Sequence, residues 1–236
     1  MNELVSGVYA LFGVHLNPAQ RQAFERYAAL LAEWNAKFNL TAIKDPKNVQ
    51  VKHFLDSLTV LKALPAEPLS LIDVGTGAGF PGLPLKIMRP DLRLTLVEAT
   101  GKKLTFCQAV VEALGLSGVR TVHARAEEVG RQPEHRERYD VAVARAVAEM
   151  PVLAEYLLPL VRRGGWAIAQ KSKDAPAEAQ SAERALARLG GELGQLIEVE
   201  LPGIVDPRYL VVIRKTAATP HRFPRRAGTP AREPIQ

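Results

Sequence analysis

The ten residues DVGTGAGFPG, 73–82, leave this chain few folds to choose from. Four glycines follow directly on an apolar run, LSLIDV from Leu69 to Val74, and precede a helix that can start near Pro81. A short unbroken apolar run bounded by a turn is how a strand buried on both faces of a parallel sheet reads. Glycine turns the chain at positive φ and lets a ligand approach the backbone with no Cβ in the way. Strand, glycine turn and helix in that order set a nucleotide-shaped pocket at the carboxyl end of the sheet.

The periodicity on either side of the turn differs. From Asn17, NPAQRQAFERYAALLAEWNAKF spaces Phe24, Tyr27, Leu30, Leu31 and Trp34 by threes and fours, behind Asn17 as cap and Pro18 as first helical residue. A second helix is expected after Asp45-Pro46, with Val49, Val51, Phe54, Leu55, Leu58 and Leu61 as its apolar positions up to Leu64-Pro65. With the opening residues these form an all-helical leader, 1–66. After Leu69 strands and helices alternate, with strands expected at 92–97, 119–123, 139–144 and 165–170, a parallel βαβ series. Beyond Gly190-Gly191 the runs QLIEVELP and YLVVIRK read as a closing antiparallel hairpin. The expected fold over 67–215 is therefore α/β and Rossmann-like, with a mostly parallel sheet.

Composition narrows the setting. No window approaches the ~18 uncharged apolar residues of a membrane span, and Met1 to Gly13 lacks the basic start of a signal peptide, so a cytoplasmic chain is expected. The single Cys107 and five scattered histidines offer no metal-ligand spacing, and no metal is expected. The net charge is +6, but Arg214 to Gln236 holds six Arg or Lys against one Glu, which leaves the body nearly neutral. The basic, Pro-rich tail, 216–236, cannot pack a core and is expected to be extended or disordered when free. Its charge matches the footprint of a phosphate-backbone binder, and equally that of a solvated tail that aids solubility.

Glycines alone do not identify the ligand. Gly77-x-Gly79-x-x-Gly82 satisfies the dinucleotide fingerprint, with Glu98 at a plausible distance for a ribose. Three features favour S-adenosyl-L-methionine. Asp73 precedes Gly75 by two residues, the acidic-x-Gly-x-Gly-x-Gly spacing used by methyltransferases, where the acid can orient the turn and the methionine end of the cofactor. Phe80 and Pro81 occupy a turn that a dinucleotide would need open for its pyrophosphate. Five parallel strands plus a hairpin resemble the seven-stranded class I methyltransferase sheet.

The remaining site candidates lie at the strand ends. Glu98 closes the second strand, 23 residues after Gly75, where a carboxylate can accept both ribose hydroxyl protons. Ala99 and Thr100 would line the adenosine side. Ala126 and Glu127 fall where this fold meets the adenine edge, although Glu127 also suits a helix first turn. Arg145 closes the fourth strand on the face where acceptor meets donor; a salt bridge to Asp140 or Glu149 is its structural alternative.

Absent motifs bear on the acceptor. Where exocyclic amine methylation commonly shows Asn/Asp-Pro-Pro-aromatic, this chain reads ARAV. Pyrimidine carbon-5 methylation needs a cysteine nucleophile, but Cys107 sits in the apolar context LTFCQAV, as a small core residue would. The acceptor left is one with a free lone pair, such as guanine N7 or a small-molecule nitrogen, for which positioning supplies the acceleration and no general base is needed.

The chain resembles the bacterial small-subunit ribosomal RNA guanine-N7 methyltransferase family, also called glucose-inhibited division protein B. The resemblance rests on WNAKFNLTAI (34–43), VKHFLDSL (51–58), the run from IDVGTGAGFPGLPLKIMRP to LVEATGKKLTF, ARAVAEM (144–150), LVVIRKTAATP (210–220) and FPRRAGTPAREP. It implies adenosylmethionine held around Gly75, Gly77, Phe80, Glu98, Ala99, Thr100, Ala126, Glu127 and Arg145, and 16S rRNA or a small-subunit particle as substrate of a monomeric enzyme. The family commonly has Lys-Gly where this chain has Lys171-Ser172, and the tail is absent from some members. In that context His53 and Asp56, three apart on one helical face, pair with each other or fix the leader, with a satisfied structural histidine the favoured reading of His53. Lys37, Lys52, Lys171, Arg222, Arg225 and Arg226 are candidates for phosphate contacts. The alternatives are a small-molecule N-methyltransferase and a catalytically silent rRNA-binding assembly factor.

Overall fold

The computed structural model describes residues 1–236. Two helices, α1 (Asn2–Phe12) and α2 (Pro18–Phe38), open the chain. The sequence signals at the start of α2 act as expected: Asn17 Oδ1 accepts from Gln20 N at 2.8 Å, Gln20 Oε1 accepts from Asn17 N at 3.0 Å, and Pro18 needs no partner. Asn39, left-handed at φ 49°, ends the helix.

The second leader helix is not uniform. Pro46–Asn48 is α-helical, Val49–Leu55 is wound as a π-helix, Asp56–Leu58 is α-helical and Thr59–Lys62 is 3₁₀. A π-wound turn carries an extra residue and re-aims the side chains beyond it, a device frequent at functional sites.

The sheet begins at β1 (Ser70–Val74), and continues with β2 (Arg93–Glu98), β3 (Val119–His123), β4 (Tyr139–Arg145), β5 (Val161–Lys171), β6 (Gly191–Val199) and β7 (Arg208–Lys215). Their order is β3-β2-β1-β4-β5-β7-β6. The first five are parallel, and β7 is antiparallel to both β5 and β6. The expected seven-stranded class I architecture is thus the observed one, and β1 and β4 flank the point where strand order reverses. β5 starts four residues before the expected Gly165, because Gly164 at φ 81° bends the strand without ending it.

Helices cover both faces: α3 (Gly82–Met88), α4 (Gly101–Ala113), α5 (Ala126–Val129), α6 (Met150–Leu157), α7 (Ala175–Ser181) and α8 (Glu183–Leu189). Alternation along β1 sends Leu71 to one core and Ile72 to the other. The first core joins the sheet to the leader through Phe24, Tyr27, Phe54, Leu58 and Phe106. Each of these side chains is fully buried, worth ~1.5–3 kcal/mol of transfer free energy apiece.

The tail corrects an expectation. It is neither extended nor loose: Phe223 and Ile235 are buried in the second core, and Thr229–Arg232 forms a last helical turn, α9. The segment brings its own apolar anchors, and the body supplies donors for its carbonyls, Arg136 to Thr219 O and Phe223 O at 2.7 Å and Arg131 to Pro224 O at 2.8 Å. No helix is long and apolar enough to cross a membrane.

Candidate active site

The glycine turn is held from below by Asp73. This carboxylate is fully buried; its Oδ2 accepts from Thr76 Oγ1 at 2.6 Å and from Gly82 N at 2.8 Å, while Oδ1 has no partner. Burial raises its pKa to about 6 against the pull of those two bonds. The turn is held from above by Glu98, whose Oε2 accepts from Gly77 N at 2.9 Å and Oε1 from Thr100 N at 2.8 Å. One carboxylate therefore ties the loop after β1 to the loop after β2.

Between these loops lies a cavity of about 190 Å³. Gly75, Glu98, Ala99, Ala126 and Glu127 line it, as the sequence suggests, together with Val147 and Tyr156, which it does not. Gly75 is at φ 69°, and a Cβ there would sit 2.8 Å from Val147 Cγ2. A cavity bordered by the glycine turn on one side and by the acid at the end of β2 on the other fits an adenosyl donor. A larger apolar groove of about 460 Å³ is lined entirely by residues of the leader and lies off the strand ends.

Four expected residues, Phe80, Gly77, Thr100 and Arg145, do not line the donor cavity. The Phe80 ring does not line the cavity: it is stacked between Tyr27 (centroids 5.4 Å apart) and His53 (4.5 Å), turned toward the leader because the aromatic cluster there buries it. Gly77 and Thr100 contribute backbone N–H groups to Glu98 and no wall.

Arg145 faces a second cavity of about 440 Å³, shared with His53, Asp56, Gln170, Lys171 and Arg208. Neither Asp140 nor Glu149 is its partner. Nη1 donates to Asp56 Oδ2 at 2.8 Å and to Lys52 O at 3.1 Å, Nη2 approaches His53 Nδ1 at 3.3 Å, and the guanidinium lies 5.0 Å from the Phe80 ring centre. His53 and Asp56 thus meet through Arg145, not through each other. With Nδ1 facing a guanidinium, the proton of His53 belongs on Nε2, 2.8 Å from Thr41 Oγ1. Burial, then the Arg145 charge, lowers the His53 pKa to about 4. Directly after Arg145, Ala146 is left-handed at φ 54°, a strained conformation for a residue with a Cβ.

The candidate phosphate contacts divide. Lys171 Nζ is held by Glu178 Oε2 at 2.5 Å and Ala148 O at 2.6 Å. Arg225 forms a two-pronged pair with Glu155, at 3.0 and 2.7 Å. Lys37 pairs with Glu33 on the surface of α2. Lys52, Arg222 and Arg226 are exposed, with Arg222 resting on the Phe223 ring. Cys107 is fully buried, burial pushes its thiol pKa up, and its Sγ points at Gly77 O, as a core residue should.

The family model described as rRNA small subunit methyltransferase G matches residues 20–202. The chain belongs to this family. Curated relatives of the methyltransferase G family include "Ribosomal RNA small subunit methyltransferase G" of Roseiflexus castenholzii, 49% identical over 235 residues and covering 100% of both chains. The protein of the same name from Desulforamulus reducens is 48% identical, covering 93% of this chain and 92% of its own. Solved structures share the fold at low identity. A SAM-dependent methyltransferase from Aquifex aeolicus is 18% identical, covers 74% of this chain and 96% of its own, and has a TM-score of 0.55. The 16S rRNA (adenine(1408)-N(1))-methyltransferase of Catenulisporales acidiphilia is 15% identical, covers 70% and 93%, and has a TM-score of 0.52. Full-length coverage by methyltransferase G relatives takes in the leader, the donor cavity and the tail together.

Proposed function

We propose that this chain transfers the methyl group of S-adenosyl-L-methionine to N7 of a guanine in 16S rRNA, as a soluble cytoplasmic monomer acting on the RNA or on a small-subunit particle. Membership of the methyltransferase G family supports the donor and the RNA class. The observation that carries the acceptor is chemical: the cavity beyond Arg145 holds no free base. Asp56 is paired to Arg145 and faces Arg208 at 3.9 Å, Glu178 is held by Lys171 at 2.5 Å, and His53, lowered to about 4, has Nδ1 against Arg145 and Nε2 against Thr41. An exocyclic amine or a hydroxyl must lose a proton on methylation; guanine N7 offers an in-plane lone pair with no proton to remove.

When bound, the donor supplies an electrophilic methyl group. Gly75 leaves room for its approach, and Glu98 is placed to accept from ribose hydroxyls with the lone pairs not used by Gly77 and Thr100. Asp73 braces the turn. Arg145 presents a guanidinium fixed by Asp56 and His53, able to orient an electron-rich base edge without moving. Lys52, exposed at the rim of the cavity that Arg145 faces, is the cation available to phosphates there. The test is transfer of labelled methyl to small-subunit RNA lacking the modification, with subsequent reductive cleavage chemistry selective for N7-methylguanine. A single cleavage site is expected; label on an exocyclic nitrogen or on metabolites alone would overturn the assignment.

A further inference from the structure

The packing of the tail has a direct bearing on the donor cavity. From β7 onward the chain is fastened at every few residues. Lys215, wholly buried, donates to Leu158 O at 2.8 Å and lies 3.2 Å from Glu137 Oε1, which also receives Thr219 N at 2.7 Å. Arg136 and Arg131 then hold the carbonyls of Thr219, Phe223 and Pro224. Pro224 presses on the end of α5, where a Cβ on Gly130 would come 2.9 Å from Pro224 Cγ. Next, Arg225 donates both Nε and Nη2 to Glu155, and its backbone N to the same carboxylate at 2.7 Å. The Glu155 side chain has no solvent exposure, so the tail supplies the whole charge partner for a carboxylate inside the fold. Three residues later Gly228 N donates to Glu127 Oε1 at 2.8 Å.

These last two contacts fall behind the wall of the donor cavity. Glu127 lines that cavity, and so does Tyr156, the residue after Glu155 on α6. The two groups share one cavity wall, where burial and then the Glu127 carboxylate raise the Tyr156 pKa. A carboxylate on a four-residue helix has several rotamers open to it; the Gly228 N–H fixes one. Were the tail absent, Glu127 would lose that bond and Glu155 would be left as a buried, unpaired charge, which shifts α6 or draws in water.

We infer that residues 221–236 are a clamp that positions the adenine-side wall of the donor cavity, through Gly228 on Glu127 and Arg225 on Glu155, and that the charge of Arg225 serves this packing and not a grip on RNA. Arg225 and Gly228 are positioning residues in this account. It rests on the donor-cavity assignment but not on the identity of the acceptor.

Three measurements decide it. Removal of residues 221–236 raises the donor Kd at least about fivefold by calorimetry, while the KM for RNA and its salt dependence hold within about twofold. Because truncation can also weaken folding, Arg225→Met combined with Glu155→Met removes the pair without stranding a charge, and the same donor-selective loss is expected. In the intact protein, adenosylmethionine slows amide exchange at Gly228, since coupling between tail and donor is reciprocal. Unchanged donor affinity in a folded variant, or unchanged exchange at Gly228, overturns the clamp. A weaker RNA affinity with a shallower salt slope identifies an RNA-binding arm instead. If Glu98→Ala also leaves donor affinity unchanged, the cavity assignment has failed, and the clamp with it.

Discussion

Arg145 and Asp56 form an ion pair, Nη1 to Oδ2 at 2.8 Å, that joins the carboxyl end of β4 to the stretch ending the leader. Both side chains are nearly buried, at 14% and 11% exposure, so the pair is costly to break from one side. Asp56→Ala leaves the guanidinium uncompensated and is expected to destabilise the fold by about 3 kcal/mol. Arg145→Met with Asp56→Leu should recover much of that in urea melts and still abolish methyl transfer. Recovery of activity by the double variant would remove Arg145 from the acceptor site.

Glu98 does two jobs that a substitution separates. Glu98→Ala leaves the N–H groups of Gly77 and Thr100 without their acceptor, a cost of about 1–3 kcal/mol for each that stays dry. Glu98→Gln keeps an acceptor for one of them. Donor Kd should rise about tenfold or more for both variants, whereas thermal stability should fall mainly for Ala. Equal donor affinity in wild type and Glu98→Gln would argue against contact with the ribose.

His53 makes stability depend on pH with a defined sign. Its folded pKa of about 4 lies below the unfolded value of 6.5, so between these values the unfolded chain binds more protons and stability rises with pH. Its contribution is complete above about pH 6.5 and is lost as pH falls toward 4. Asp73, raised to about 6, acts oppositely between about 4 and 6, which flattens the total curve. The difference between wild type and His53→Asn isolates the histidine. It should grow with pH by at most about 1.4 kcal/mol per unit up to 6.5 and then stay level. A difference that does not change with pH would mean the histidine is not held neutral.

Gly79 shows why the turn cannot tolerate a side chain. It sits at φ 91°, and a Cβ would lie 2.4 Å from Leu83 Cδ1 and 2.5 Å from Tyr27 Oη. Gly79→Ala therefore combines backbone strain of about 1–2 kcal/mol with displacement of Tyr27, whose hydroxyl donates to Ala78 O. A drop in Tm together with weaker donor binding is expected; a variant with wild-type Tm would show that the leader yields freely at this contact.

Much of this site was legible because it is written in short-range chemistry. Apolar runs and glycines between Leu69 and Gly82 mark a strand and a turn, and the alternation from Arg93 to Lys171 counts the parallel strands. Glu98 is marked by its place at a strand end, and Ala126–Glu127 by the resemblance to the family. The hidden part depends on long-range contact. Apolar spacing cannot distinguish an α-helix from the π-wound Val49–Leu55, so the meeting of His53 and Asp56 with Arg145 was invisible. The ring of Phe80 turns to the leader because Tyr27 and His53 offer it more contact than a ligand cavity would. Tyr156 carries no local signal at all. The packing of the tail is hidden for the same reason: composition does not reveal a buried acid such as Glu155 seventy residues earlier.

The aromatic core under the leader also sets an order on synthesis. Tyr27 leaves the ribosome before Phe80 and Phe106, and Phe54 before Phe80, the rings they pack against. For that interval a nascent chain carries an unfilled oily face. The leader is thus made ahead of the rings it packs against and is among the last parts to settle, and the period before Phe106 emerges is when a chaperone has something to hold.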